Sequence, residues 1–85
     1  MKYLIKINKN EEKLKKVFDE QFSSPYKDKF VNLSIGDIEK WDSLGNFNFL
    51  LAIEKSFHIR FTNEEISELK SIKKILASLE KKNAK

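Results

Sequence analysis

Eighty-five residues, 40% hydrophobic and 35% charged, suffice for one small globular domain with a modest core and are not the composition of a disordered chain. The absence of cysteine excludes disulfides, thiolate metal sites and a cysteine nucleophile, so any thiol chemistry must use a thiol brought in from outside. A net charge of +4 points towards nucleic acid, but residues 70–85 hold six bases and one acid while 41–69 hold two bases and five acids, and the basic-aromatic interleaving of nucleic-acid surfaces is missing.

The opening MKYLIKINKN has neither a sustained apolar core nor a small-residue cleavage site, and no apolar run reaches the eighteen residues of a membrane span. A cytoplasmic location with no membrane partner is expected. Tyr3, Ile5 and Ile7 alternate with Lys2, Leu4 and Lys6 in a strand-like pattern without a partner strand, so residues 1–7 read as a frayed leader. Asn8 or Asn10 is placed to cap a first helix whose early Glu11 and Glu12 suit its positive end. Leu14, Val17, Phe18 and Phe22 recur at helical spacing and form its buried stripe. Ser23, Ser24 and Pro25 stop it.

From Tyr26 to Lys40 runs a long connection whose apolar residues, with Trp41, imply a loop packed over the core and a short helical turn near 36–40. Asp42 is the expected N-cap of a second helix reaching Phe57. Thr62 and Glu65 form a capping box for a short third helix through Leu69. Ser71 caps a fourth helix with Ile72, Ile75, Leu76 and Leu79 on one face, and 81–85 read as a frayed tail. The fold expected is an all-α four-helix bundle with a short third helix and a long first loop, forming one domain over residues 1–85.

The second helix has two apolar arcs. At about 100° per residue, Asn46, Phe49, Leu50, Ile53 and Phe57 gather on one side, while Leu44, Phe47 and Leu51 gather about 120–130° away. A domain this small cannot readily bury both. Either the long loop covers the second arc or the arc is a binding patch. Ser43 sits beside it in the first turn, where free backbone N–H groups and the helix dipole favour an anion such as a phosphate ester. A serine nucleophile needs an adjacent base, and His58, the chain's single histidine, lies fifteen residues further on, more than about 20 Å at 1.5 Å per residue. A Ser–His triad is excluded on that geometry. No second ligand accompanies His58, no Gly-rich phosphate loop is present, and no enzyme is expected.

The stretch Trp41-Asp42-Ser43-Leu44, followed downstream by Ala52, Ile53, Glu54, Phe57, Ile59 and Phe61, resembles the acyl carrier protein family, in which D-S-L opens the second helix. The resemblance spans about residues 10–80. It implies that Ser43 receives a 4′-phosphopantetheine arm from coenzyme A through a phosphopantetheinyl transferase, and that the arm's thiol carries acyl groups as thioesters between enzymes. By the same resemblance Asp42 helps the transferase recognise the serine. Leu44, Phe47, Leu51 and Phe61 match positions that contact partners, here acyl-activating, acyltransferase or synthase enzymes. Phe49, Leu50, Ile53, Phe57, Ile72, Ile75, Leu76 and Leu79 would line the core. A monomer is expected.

The departures from the family pattern point to a specialised pathway. Gly45, Asn48, Lys55 and Ser56 stand where the family often has acids, leaving Glu54 as the one acid of the second helix after Asp42. Charge steering should be weaker or different. His58 stands where the family commonly has Gly, and bears modest strain if its backbone is left-handed. An aminoacyl carrier of the D-alanyl type, which also uses an Asp-Ser opening, remains an alternative. So does a non-carrier helical interaction module in which Ser43 is only a first-turn residue.

Overall fold

The computed structural model describes residues 9–83, and these are helical with one long connection and two short ones. The leader expected over residues 1–7 and the cap at Asn8 lie outside the described residues, as do Ala84 and Lys85. Four α-helices follow in order: α1 (Lys9–Phe22), α2 (Ser43–Phe57), α3 (Asn63–Glu68) and α4 (Ile72–Asn83). Asn10 lies inside α1 and does not cap it. Leu14, Val17, Phe18 and Phe22 form the buried stripe of α1, as their spacing requires. The helix ends on Ser23 in a left-handed conformation (φ 50°), whose N–H donates to the Asp19 carbonyl at 2.8 Å.

The connection between α1 and α2 behaves as a third packing layer. Its helical turn falls at Phe30–Asn32, a 3₁₀ segment, and residues 36–40 form turns and bends instead of the short helix expected there. The reason is local hydrogen bonding. The Asp37 carboxylate accepts the Ser34 N–H at 2.8 Å, and Gly36 donates to the Trp41 carbonyl at 2.8 Å with a φ of 94° that suits glycine. Phe30, Leu33, Ile38 and Trp41 are buried.

Phe18 is the hub of the aromatic core. The rings of Phe30, Trp41 and Phe49 meet it edge-on at centroid distances of 5.4, 5.3 and 5.4 Å. Tyr26 does so at 5.7 Å and Phe22 packs tilted at 4.8 Å. Such pairs contribute about 0.5–1.5 kcal/mol each beyond the area they bury, so this cluster ties α1, the loop and α2 together. From the other side α4 supplies Ile72, Ile75 and Leu79, all fully buried, with Leu76 only partly so.

A backbone clip joins the loop to the start of α4. Ile35 donates to the Lys70 carbonyl at 2.8 Å and Ile72 to the Leu33 carbonyl at 3.0 Å, around an isolated antiparallel bridge between Ser34 and Ser71. Ser71 also accepts the Lys74 N–H at 3.2 Å, the cap its position implies. Both halves of the Thr62–Glu65 capping box form. The Thr62 N–H and the Lys82 ammonium hold the Glu65 carboxyl below its ordinary pKa. The Lys82–Glu65 ion pair, at 2.9 Å, anchors the last turn of α4, so residues 81–83 continue the helix.

Among the described residues Asn46 is the one buried polar side chain, 4% exposed. Its Oδ1 accepts the Trp41 indole N–H at 2.9 Å and its Nδ2 donates to the Leu69 carbonyl at 3.1 Å. Asn46→Leu keeps the bulk and strands both partners, each costing about 1–3 kcal/mol when buried unpaired. Urea unfolding should register a loss of about 2–4 kcal/mol. A loss below about 0.5 kcal/mol would mean that packing alone holds this corner.

Candidate functional site

The start of α2 is built by three neighbouring residues with different tasks. Asp42 sits in extended backbone (φ −103°, ψ −166°) and its Oδ1 accepts the Gly45 N–H at 2.8 Å, while its carbonyl accepts the Asn46 N–H at 2.7 Å. This is the N-cap expected from the sequence. Ser43 follows as the first helical residue, exposed, and among the described residues no side chain holds its hydroxyl. The N–H groups of Ser43 and Leu44 belong to the first turn and have no helical carbonyl behind them. An anion on the Ser43 hydroxyl would therefore lie at the positive end of a fifteen-residue helix.

Beside Ser43 opens a shallow pocket of about 260 Å³, with Ile35, Phe47 and Ile66 as its apolar wall and Lys70 among its polar residues. Lys70 belongs to the α3–α4 junction, which the backbone clip holds against the loop. The second apolar arc of α2 is open: Leu44 is 69% exposed, Phe47 44% and Leu51 42%. The long loop packs on the opposite arc and does not cover it. Phe61 is not part of that surface, being 8% exposed and within the core cluster. Asp42, Ser43, Leu44 and Phe47 thus gather at the start of α2 with Leu51 a turn further on, and Phe61 stands apart from them.

The far end of α2 carries nothing that could activate the serine. His58 closes the helix in the left-handed region (φ 56°, ψ 48°) and its N–H donates to the Glu54 carbonyl. Fifteen residues separate it from Ser43, about 22 Å along the axis. Among the described residues no cluster of three or more His, Asp or Glu side chains could hold a metal. None of the helices there is long and apolar enough to cross a membrane.

Two structural roles escaped the sequence. A Cβ on Gly45 would overlap the Lys40 carbonyl oxygen, so this glycine lets the loop pass directly over the first turn of α2. The second is Glu54, whose Oε2 accepts the Phe61 N–H at 2.7 Å and so fixes the turn after α2. An unexpected glycine in a helix's first turn was a usable signal for the former; nothing local signalled the latter.

The chain is similar to the acyl carrier proteins of Buchnera aphidicola subsp. Acyrthosiphon pisum, strains Tuc7 and APS. Each is 29% identical over 75 residues, covering 88% of this chain and 94% of the relative. No family model matches the chain, and no solved structure does.

Gly45→Ala tests the close approach. Alanine is the better helix former by about 1 kcal/mol, yet a methyl driven into a backbone carbonyl costs about 1–3 kcal/mol because neither side can rotate away. Net destabilisation is expected in urea unfolding. A more stable variant would show that Lys40 moves aside freely.

Proposed function

We propose that this chain is an acyl carrier. Residues 1–85 act as one non-catalytic cytoplasmic domain, and Ser43 bears the 4′-phosphopantetheine arm that a phosphopantetheinyl transferase attaches from coenzyme A. The observation that carries the reading is the unheld hydroxyl of Ser43 in the first turn of α2, behind the Asp42 cap and beside an open apolar arc. The likeness to carriers along 88% of the chain supports it.

The residues present suit the arm. The free first-turn N–H groups offset the phosphodiester's charge, Lys70 adds a cation beside the same pocket, and Ile35, Phe47 and Ile66 offer an apolar wall next to the attachment point. When bound, the arm supplies the thiol that the cysteine-free chain lacks. Ser43 needs no base of its own, because activating its hydroxyl falls to the transferase. Asp42 has two tasks: it orders the first turn through Gly45 and presents a carboxylate next to the serine for the transferase to read.

Leu44, Phe47 and Leu51 form the surface offered to acyl-handling partners. Phe61 is left out of that surface because its ring is buried. A dedicated biosynthetic pathway fits better than general fatty-acid synthesis, since the one acid within α2, Glu54, is engaged with the Phe61 N–H. With Glu54 as its one acid, α2 offers partners little negative charge, and recognition relies on the apolar arc more than on charge of that sign.

Two measurements test this. Incubation with coenzyme A, magnesium and a broad-specificity transferase should add the mass of one phosphopantetheine to the intact protein and nothing to Ser43→Ala. Unchanged mass for the parent chain would leave a helical interaction module as the better account. With the loaded protein, replacing Phe47 and Leu51 by Ala should lower kcat/KM of an acyl-loading partner at least about ten-fold, the scale of two truncated interface side chains. Undiminished turnover would remove the arc from the recognition surface.

A further inference from the structure

The face of α2 that bears Leu51 opens on a second depression, of about 600 Å³, formed where α2 meets the end of α1 and the segment after His58. Asn48, Leu51, Ala52 and Lys55 supply its α2 wall at the i, i+3, i+4, i+7 spacing of a single helix face. Ile59 and Arg60 form the facing wall. Leu51, Ala52 and Ile59 are the apolar part of its lining, and Leu51 joins it to the open arc of Leu44 and Phe47.

Its charge is distinctive. Lys55 and Arg60 stand exposed on the rim, and neither has an ion-pair partner among the described residues. Glu54 is the single carboxylate in the lining, and one of its oxygens is committed to the Phe61 N–H at 2.7 Å. The carboxylates near the end of α1, Asp19 and Glu20, do not line the depression.

We propose that this groove docks a partner segment that is apolar on one face and carries carboxylates on its flanks. Acidic surfaces are thereby selected and basic ones rejected. The physical case is complementarity. An apolar side chain seated over Leu51 and Ile59 removes area from water, and flanking carboxylates fall beside Lys55 and Arg60, where lysines would meet like charge. Concave apolar helix faces take amphipathic segments in this way. The proposal deepens the carrier reading by giving the partner's docking surface a sign, and it rests on that reading for its place in acyl transfer.

The test uses the full chain, isotope-labelled for amide NMR, and two synthetic amphipathic helical peptides with the same Leu and Phe face. One has glutamates flanking that face, the other lysines. The glutamate peptide should shift the amides of Leu51, Lys55, Ile59 and Arg60 saturably, at least about ten-fold more tightly than the lysine peptide, and weaken as salt screens the rim. Charge reversal by Lys55→Glu with Arg60→Glu should invert the preference, with circular dichroism confirming the fold; Leu51→Ala should weaken both peptides alike. Equal binding of the two peptides, tighter binding of the lysine peptide, no shifts in the groove, or tighter binding of a short DNA duplex there would each overturn the proposal. Loading of Ser43 is measured on the same sample. Its failure removes the carrier reading and leaves the peptide comparison standing, whereas normal loading with sign-blind peptides removes the groove's selectivity alone.

Discussion

The geometry at Ser43 depends on the side chain of Asn46. That amide is buried, so both of its ends must find partners, and the two it finds lie in different parts of the chain: the Trp41 indole before α2 and the Leu69 carbonyl after α3. Three points are thereby fixed relative to one another, and Ser43 lies one turn from the middle one. Around this pin, the loop and the α3–α4 junction are joined by two backbone hydrogen bonds. The six-residue α3, which buries no residue fully, owes its place to that junction and to its capping box more than to packing.

Five of the acids accept backbone N–H groups. Asp28 accepts the Lys29 N–H, which with Asn32 holds its carboxyl below the ordinary carboxylate pKa. Asp37, Asp42, Glu54 and Glu65 take the N–H groups of Ser34, Gly45, Phe61 and Thr62 in turn. Four of these carboxylates stand at turns or helix starts, and Glu54 reaches from the last turn of α2 to the segment beyond it, so each satisfies an N–H that no helix or sheet partner takes. The consequence reaches the surface. A hydrogen-bonded carboxylate is held to its own turn, whereas Lys55 and Arg60 stand exposed with no ion-pair partner among the described residues. A helix that offers partners apolar side chains and positive flanks is the result.

Helices and caps were legible in the sequence because both are local. Leu14, Val17, Phe18 and Phe22 declared a face of α1, Asp42 and Thr62 declared two starts, and the crowding of apolar residues on α2 correctly separated Asn46 and Phe49 from Leu44 and Phe47. The long loop was legible as a packed segment but not in its shape. Its 3₁₀ turn falls at Phe30–Asn32, while the stretch near Gly36 is set by the Asp37 carboxylate and by pairing with the α3–α4 junction, some thirty-five residues away. Phe61 lies in the core, apart from the exposed arc of α2, for a related reason. Nothing in its neighbours announces that Glu54 will capture its N–H and turn the ring inwards. What periodicity cannot carry is a hydrogen bond made across the fold.

The open arc of α2 has a cause in the same contacts. A loop of this length with this apolar content could in principle have lain over Leu44, Phe47 and Leu51. It is instead drawn to the other side, where Phe30, Leu33, Ile38 and Trp41 bury themselves against Phe18 and the first helix turn of α4 closes over Leu33. Each of those side chains gains about 1.5–3 kcal/mol from full burial, and the aromatic cluster adds its edge-on contacts. Shifting the loop to cover three half-exposed residues would give up four buried ones together with the indole hydrogen bond. Among the described residues the exposure is therefore the lower-energy arrangement, and the apolar face beside Ser43 is left open by the same contacts that bury the loop.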